Sequence, residues 1–300
     1  MRIFQLFSYF SLVSSAALNR KRSDVKCPII FDGRIPRNLT LLSFDSATQS
    51  RYSPRYVKGE NLTWSEIIDF PLTREPSRFD SRSVHKPFEV TISDASLFRS
   101  GAGLQLGFRR AGLLLKDDTN AAGSDAADQG IVTFHWSVSQ DSGRPLNLSH
   151  EYMNVWHEKA DYSGNQFTFV GGVVLKQDGG DGIETPEERE SWKVQDAKNN
   201  IVFRTGIAKN EWQNFAIQLD YTNNTMQVFY SLGENPLKEV TVPFTNNNSG
   251  GGQMQLGIAK KPTETETVVW DGYQESIMGS EGQIYGGVFV ENSSGGCVSI

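Results

Sequence analysis

The densest run of polar side chains within a predicted strand begins at Ser149-His150-Glu151. Neighbouring strand residues point to opposite faces, so Ser, His and Glu in direct succession do not form a catalytic triad. A carboxylate with apolar neighbours on its own face has a raised pKa when it is buried, as a general acid requires. The alternative is that Glu151 is solvated or salt-bridged. Strand alternation predicts one face with Glu151, Met153, Val155 and His157, and another with His150, Tyr152, Asn154, Trp156 and Glu158.

Two arginines, Arg109 and Arg110, lie in an otherwise apolar run between Phe108 and Leu113. Arginines are costly to bury and need carboxylate partners. On a shared sheet face, Glu151 would be the partner of Arg110. An exposed edge strand is the alternative.

A third polar segment, residues 270–276, also fits strand alternation. The pattern predicts Asp271, Tyr273 and Glu275 on one face and Trp270 and Gln274 on the other. These residue types suit a sugar groove, because aromatic rings stack on the C–H faces of sugars while polar side chains bond to hydroxyls. Most of the six tryptophans are nevertheless expected in the core or under loops.

No pattern indicates a metal ion or a cofactor, and we expect neither. The four histidines lack the spacing of a zinc motif. The run Asp178-Gly-Gly-Asp-Gly182 predicts a plain turn rather than a cation loop. The four histidines are His85, His135, His150 and His157.

Short strands must position these side chains. In residues 132–138 the apolar positions alternate with Thr133, His135 and Ser137, which is typical of a strand. Short helices are predicted by the capping box Thr63-x-x-Glu66, which ends before Pro71, and by Thr185-Pro186-x-Glu188. The fold class is therefore all-β, a jelly roll or two-sheet antiparallel sandwich with few short helices. Further strands are predicted at 88–92, 105–114, 151–157, 166–175, 212–221, 226–230, 254–258, 268–273 and 282–290.

The beginning of the chain predicts secretion. Residues 1–17 read as a signal peptide, with Arg2, an apolar stretch at 3–13 and small residues at 14–17. The cluster at 20–22 fits either a dibasic processing site, which would make 18–26 a short pro-segment, or a solvated charge run. Asn-x-Ser/Thr sequons, which suit an extracellular surface, occur at Asn38, Asn61, Asn147, Asn223, Asn247 and Asn292.

The two cysteines, Cys27 and Cys297, lie near the two ends of the mature chain. In an oxidising compartment they predict a disulfide, which favours a single domain over residues 27–300. The net charge of −6 and the pI of about 5.4 argue against a polyanionic partner. No other apolar run is long enough to predict a membrane span. We expect a secreted monomer with no nucleic-acid or membrane partner.

Segments along nearly the whole mature chain resemble glycoside hydrolase family 131, secreted fungal β-glucanases with a jelly-roll fold. The resemblance implies a β-glucan ligand and broad hydrolysis of β-1,3, β-1,6 and β-1,4 bonds. The segments that carry it are Cys27-Pro-Ile-Ile-Phe-Asp-Gly-Arg34, Tyr56-Val-Lys-Gly59, Val90-Thr-Ile-Ser-Asp-Ala-Ser96, Gly107-Phe-Arg-Arg-Ala111, Arg144-Pro-Leu-Asn-Leu-Ser-His-Glu-Tyr152, Trp212-x-Asn-Phe-Ala216, Asp271-Gly-Tyr-Gln-Glu-Ser276, Ile284-Tyr-Gly-Gly-Val-Phe289 and Cys297-Val-Ser.

Glycosidases need two carboxylates flanking the glycosidic bond. The resemblance implies that Glu151, in the His-Glu-Tyr segment, is one of them. The family's other carboxylate follows Arg-Arg-Ala, where this chain has Gly112, and Gln213 stands where the family often has His. The substrate contacts expected in the groove are Arg110, His150, Tyr152, Gln213, Gln274 and Glu275.

Gly112 leaves two main interpretations open, because glycine cannot transfer a proton. In the first, the protein is a β-glucanase completed by another carboxylate, for which Glu158, Asp271 and Glu275 are candidates. In the second, the groove binds β-glucan without cleaving it. A β-elimination lyase acting on acidic polysaccharide is disfavoured by the negative net charge, and a purely structural wall protein is the remaining alternative.

Overall fold

Antiparallel β-strands form most of the regular structure. The structure, a computed structural model, describes residues 25–71, 74–121, 123–175 and 185–300. The predicted signal peptide and the predicted turn at 178–182 lie outside these residues. The strands are β1 (Ile29–Asp32), β2 (Ile35–Pro36), β3 (Ile68–Asp69), β4 (His85–Lys86), β5 (Phe88–Ile92), β6 (Arg99–Ser100), β7 (Gly103–Leu104), β8 (Arg109–Leu114), β9 (Ile131–Ser139), β10 (Glu151–Glu158), β11 (Asn165–Gly172), β12 (Ser191–Gln195), β13 (Ile201–Gly206), β14 (Gln213–Asp220), β15 (Thr225–Leu232), β16 (Lys238–Glu239), β17 (Phe244–Thr245), β18 (Gln253–Lys260) and β19 (Glu281–Asn292).

Two large sheets contain most of these strands. The nine-stranded sheet runs in the order β16-β15-β14-β9-β19-β5-β3, with β1 also paired to β19 and β17 to β15. The six-stranded sheet runs in the order β13-β12-β11-β10-β18-β8. Two small two-stranded sheets, the pair β2–β4 and the hairpin β6–β7, complete the paired strands of the described residues.

The helices are short. Helix α1 (Trp64–Ile67) and helix α2 (Pro186–Arg189) each begin at the predicted threonine capping box. Three 3-10 helices are Leu41–Asp45, Ala126–Asp128 and Ser294–Gly296. None of the helices in the described part of the chain has the length and apolar character needed to cross a membrane.

The core lies between the two sheets and is rich in aromatic rings. Trp136 of β9 stacks on Phe167 of β11 with ring centroids 6.0 Å apart, and meets the edge of Phe169 at 5.5 Å. All three side chains are buried. Such pairs stabilise by dispersion and quadrupole contacts in addition to burial. The predicted two-sheet antiparallel sandwich is confirmed.

Residues 25–27 and the C-terminal segment pack together against the outer face of the nine-stranded sheet. The C-terminal segment lies close to Glu291, which accepts a hydrogen bond from Ser299 Oγ at 2.6 Å and lies 2.9 Å from Nε2 of His135. Cys27 and Cys297 are joined by a disulfide, as the sequence predicts. The terminal segments therefore cover polar residues of β9 that alternation alone would leave exposed.

A β-bulge in β10 overturns the two faces predicted for residues 150–158. The pairing register of β10 shifts between Met153 and Val155 on both neighbouring strands. The extra residue reverses the alternation from that point. Glu151 therefore shares its face with Met153, Trp156 and Glu158, whereas Tyr152, Val155 and His157 face the core.

The strand predicted at residues 268–273 is wrong. The segment is a series of turns with a single isolated bridge, between Thr263 and Tyr273. Gly272 has φ +111°, a conformation that interrupts an extended strand. The predicted faces of Asp271, Tyr273 and Glu275 therefore do not form.

Candidate functional site

A cavity of about 620 Å³ opens on the outer face of the six-stranded sheet. Strands β8, β10 and β18 form its floor, and the segment 55–57 and the β6–β7 hairpin contribute to its walls. Its volume lies in the range of small-molecule sites. The aromatic side chains that line it are Tyr56, Phe98, Phe108, Trp156 and Tyr162.

Arg110 lies in this cavity among aromatic rings. Its guanidinium carbon is 5.7 Å from the ring centroid of Phe98, 5.5 Å from that of Phe108 and 5.9 Å from that of Trp156. Burial lowers the pKa of Arg110, and the charge of Glu158 partly offsets that effect. The predicted partnership of Arg110 with Glu151 is wrong, because Glu151 pairs with Lys261 and the carboxylate whose charge acts on Arg110 is Glu158.

Glu158, one of the three candidates for a second carboxylate, reaches the cavity. Burial raises the pKa of Glu158, while the charge of Arg110 and a hydrogen bond from Gln255 act in the opposite direction. Gln255 donates its side-chain amide to Glu158. A carboxyl with a raised pKa can hold a proton closer to neutral pH, as a general acid must.

Glu151 lies at the other end of β10, outside the lining of the cavity. Only 2% of its surface is exposed. One carboxylate oxygen pairs with Nζ of Lys261, and the other accepts a hydrogen bond from the backbone N–H of Leu175 at 2.7 Å. The salt-bridged alternative for Glu151 is therefore the one that the structure shows.

Glu151 and Glu158 do not form a catalytic pair. They occupy the two ends of the eight-residue strand β10. At about 3.3 Å per residue their Cα atoms are roughly 20 Å apart. Paired glycosidase carboxylates are about 5–5.5 Å apart in retaining enzymes and about 6.5–9.5 Å in inverting enzymes. Each of the two carboxylates would need a different partner.

A side chain at Gly112 would point toward Trp156 and Gln255, two residues that line the cavity. A Cβ atom placed on Gly112 would lie 2.8 Å from Oε1 of Gln255 and 3.3 Å from the ring of Trp156. The indole is 1% exposed and packs where a longer side chain at position 112 would begin. The space next to Gly112 is thus filled by Trp156 and Gln255.

A second polar cluster lies at the Glu151 end of the sheet. The Tyr152 hydroxyl donates to Glu281 at 2.7 Å and accepts from the backbone N–H of Asn147 at 2.9 Å. Asn147 donates its side-chain amide to Glu275. Nδ1 of His150 hydrogen-bonds the carbonyl of Lys261 at 2.8 Å, and burial lowers the pKa of this histidine. The structure therefore brings His150, Glu151, Tyr152 and Glu275 to one region.

Three other predicted residues lie apart from the cavity lining. Gln274 donates to the carbonyls of Gly107 at 2.8 Å and Lys260 at 3.1 Å. Asp271 is exposed, and the hydroxyls of Thr265 and Thr267 lower its pKa. Gln213 belongs to the nine-stranded sheet, where its amide bonds to protein groups on both sides.

Sequence reasoning missed Gln255, Tyr56 and Phe98. Gln255 lies on β18 between Met254 and Leu256, so the polar–apolar alternation of that strand could have indicated a second groove-facing amide. Tyr56 and Phe98 lie in loops, and the local sequence pattern does not predict where these loops pack. Among the residues that the structure describes, no group of three or more His, Cys, Asp or Glu is arranged to hold a metal ion.

The fold and the cavity together define a jelly-roll protein with an open, aromatic-lined pocket on one sheet. The chain belongs to glycoside hydrolase family 131, because the model of the glycoside hydrolase 131 catalytic N-terminal domain matches residues 29–296. The family predicted from the sequence, one of β-glucanase-type glycoside hydrolases, is thereby confirmed.

Two solved structures share the fold. The catalytic domain of a family 131 β-glucanase from Podospora anserina is 18% identical with a TM-score of 0.65, and the match covers 89% of this chain and 96% of that one. The family 131 catalytic domain from Coprinopsis cinerea is also 18% identical with a TM-score of 0.65, covering 91% of this chain and 97% of that one. No curated protein matches the sequence significantly.

Proposed function

We propose that the protein binds β-glucan chains in the cavity on the six-stranded sheet and that glycine at position 112 leaves it without effective hydrolysis. The observation that carries this proposal is the arrangement of Arg110, Glu158 and Gln255 around Trp156 in one open pocket, with Gly112 packed against Trp156 and Gln255. Membership of a β-glucanase-type family supports glucan as the ligand class.

The chemistry of the lining suits a sugar. Tyr162 at the edge of the cavity is 67% exposed, so its ring is available to stack on a pyranose face. Oε1 of Gln255 and Nε of Arg110 have no hydrogen-bond partner among the described residues. Buried polar atoms without partners are rare in folded proteins. The same two side chains line the cavity and present a guanidinium and an amide, which are groups that bond to sugar hydroxyls.

The absence of effective hydrolysis follows from the carboxylates. Glu158 is the one carboxylate among the described lining residues. Glu151 is held by Lys261 at a distance that excludes pairing with Glu158. A glycosidase without its second carboxylate loses the nucleophile or the base, and general acid–base catalysis alone typically supplies about 10²–10⁴-fold.

The test is to incubate the mature protein, residues 23–300, with laminarin, barley mixed-linkage glucan and cellulose. We expect protein retained on the insoluble glucan and few new reducing ends. Tyr162→Ala should reduce retention several-fold, because an exposed stacking ring is lost. Tyr273→Ala is the matched control, since Tyr273 is 53% exposed but does not line the cavity. Equal retention of both variants, or none of the wild type, would contradict the proposal.

A second candidate function is hydrolysis with Glu158 as general acid. The raised pKa of Glu158 favours it. In that case reducing ends would appear with the wild type and be lost in Glu158→Gln. If they are lost in Glu151→Gln instead, the carboxylate that the family resemblance implies is the active one. Glu239→Gln, a change at an exposed glutamate of β16, is the control.

We also infer a secreted, N-glycosylated, single-domain monomer. The disulfide between the two ends supports an oxidising compartment. Five of the six sequon asparagines are exposed, whereas Asn147 is half-buried beside Glu275. Removal of N-glycans from the protein isolated from culture medium should lower its mass, and an unchanged mass would contradict the inference. The exposed sequons are those at Asn38, Asn61, Asn223, Asn247 and Asn292.

A further inference from the structure

The guanidinium of Arg110 has no carboxylate within 4.0 Å among the described residues. It is half-buried in the cavity, and its hydrogen bond to another side chain, from Nη1 to Oε1 of Gln105, is long at 3.4 Å. Its Nε has no partner. Two other arginines show the usual arrangement, since Arg34 pairs with Asp32 at 2.9 Å and Arg99 with Glu60 at 2.8 Å.

This arrangement fixes the guanidinium without neutralising it. Rings of Phe98, Phe108 and Trp156 surround it at 5.5–5.9 Å, which orders the side chain and displaces water. A charge taken out of water without a counter-charge in direct contact is unfavourable, and the more distant charge of Glu158 offsets this only in part. An anionic ligand group would offset this electrostatic cost. A planar guanidinium can bind a carboxylate through two parallel hydrogen bonds.

The other ionisable groups of the cavity are compatible with an anion. Arg55 is exposed at the rim and adds a second positive charge. Glu158 is the one acidic side chain among the described lining residues, and a protonated carboxyl there would donate to an anion instead of repelling it. The aromatic side chains leave surface for the apolar face of a six-membered ring.

We propose that the cavity is a subsite for a hexuronic acid unit in a β-linked chain, with the uronate carboxylate bound by Arg110. This inference rests on the proposed sugar-binding function and adds a charged unit to its ligand. The uronate carboxylate would pair with Arg110 as the carboxylate of Asp32 pairs with Arg34 and that of Glu60 pairs with Arg99. The net negative charge of the whole chain does not oppose this, because the lining of this cavity carries more positive than negative groups.

The test compares two disaccharides by isothermal titration calorimetry at pH 7. Cellobiouronic acid (β-glucuronosyl-1,4-glucose) and cellobiose differ by a carboxylate in place of one hydroxymethyl group. We expect the acid to bind at least about tenfold more tightly, since hydrogen bonds between charged groups are the stronger ones. Arg110→Gln should abolish that preference. Arg99→Gln, a change at an exposed arginine on the adjoining hairpin, should keep it.

A second measurement covers the case in which Arg110→Gln does not fold. Raising the salt concentration should weaken binding of the acid to the wild type and leave cellobiose unaffected. Equal affinities of the two sugars, or a preference that survives in folded Arg110→Gln, overturns the inference. If the protein is still retained on glucan in that event, only the uronate subsite fails. If neither disaccharide binds and no glucan retains the protein, the proposed function fails with it.

Discussion

Trp156 lies across the place where a side chain at Gly112 would begin. A Cβ atom on Gly112 would be 3.3 Å from the indole and 2.8 Å from Oε1 of Gln255. The two residues belong to β8 and β10, which are separated by β18 in the six-stranded sheet. A longer side chain at position 112 would therefore have to displace both Gln255 and the Trp156 ring.

Gly112→Glu alone is expected to leave the protein without hydrolysis and to lower the free energy of unfolding by about 1–3 kcal/mol, as overpacking does. The double variant Gly112→Glu with Trp156→Phe should release at least about tenfold more reducing ends from laminarin than the wild type, because the smaller ring leaves space for the carboxylate. Reducing-sugar assays and urea unfolding check both statements. Trp156→Phe alone is the control and should be inactive. High activity of a stable Gly112→Glu single variant would show that the indole is no obstacle.

The ion pair between Glu151 and Lys261 should contribute to stability. Glu151 is 2% exposed and the Lys261 side chain 22%, so removing either charge leaves its partner poorly solvated. We expect Glu151→Gln to lower the free energy of unfolding by about 1–3 kcal/mol. A double-mutant cycle with Lys261→Met, followed by urea unfolding, measures the coupling. Additive effects would mean that the pair contributes nothing beyond its separate members.

His157 and Asp128 should give opposite pH dependences of stability. Nε2 of His157 lies 3.7 Å from Oδ1 of Asp128. Burial lowers the pKa of His157 to about 4. Burial also raises the pKa of Asp128 to about 7, and the charge of Asp125 adds to this increase. Between about pH 4 and pH 6.5 the unfolded histidine binds a proton that the folded one does not, so stability rises with pH. Over the same window the folded aspartate holds a proton that the unfolded one has lost, so stability falls with pH.

In the wild type these two slopes largely cancel between about pH 4 and pH 6.5. In Asp128→Asn only the effect of His157 should remain, so that the free energy of unfolding rises with pH by up to about 1.4 kcal/mol per pH unit. His157→Gln should uncover the opposite slope. Urea unfolding at three pH values in this window measures each slope. A flat profile in Asp128→Asn would contradict the shifted pKa of His157.

The disulfide between Cys27 and Cys297 should be a large contributor to stability. It closes a loop with a sequence separation of 270 residues. The chain-entropy model gives a loss of about 5–6 kcal/mol when such a link is removed. Chemical unfolding with and without a reductant should show this loss in the wild type. The variant with both cysteines changed to serine should be equally weakened and insensitive to the reductant.

The sequence by itself determined the features that depend on local chemistry. The capping boxes at Thr63 and Thr185 begin real helices because their hydrogen bonds join residues three positions apart. Period-two alternation identified β9 and β14, because successive side chains of a strand point to opposite faces of the sheet. The many short family-like segments were enough to predict the family and the two-sheet fold, and the paired cysteines predicted the disulfide.

The tertiary structure decided which side chains share a face and a cavity. One extra residue near Asn154 reverses the inward–outward alternation of side chains in β10. The sequence pattern of residues 151–158 does not predict this bulge. The folded chain packs the Arg110 guanidinium against Trp156, where the charge of Glu158 acts on it, and pairs Glu151 with Lys261. Register between distant strands is set by the packing of the whole sandwich, so the surroundings of Gly112 and Arg110 exist only in the folded chain.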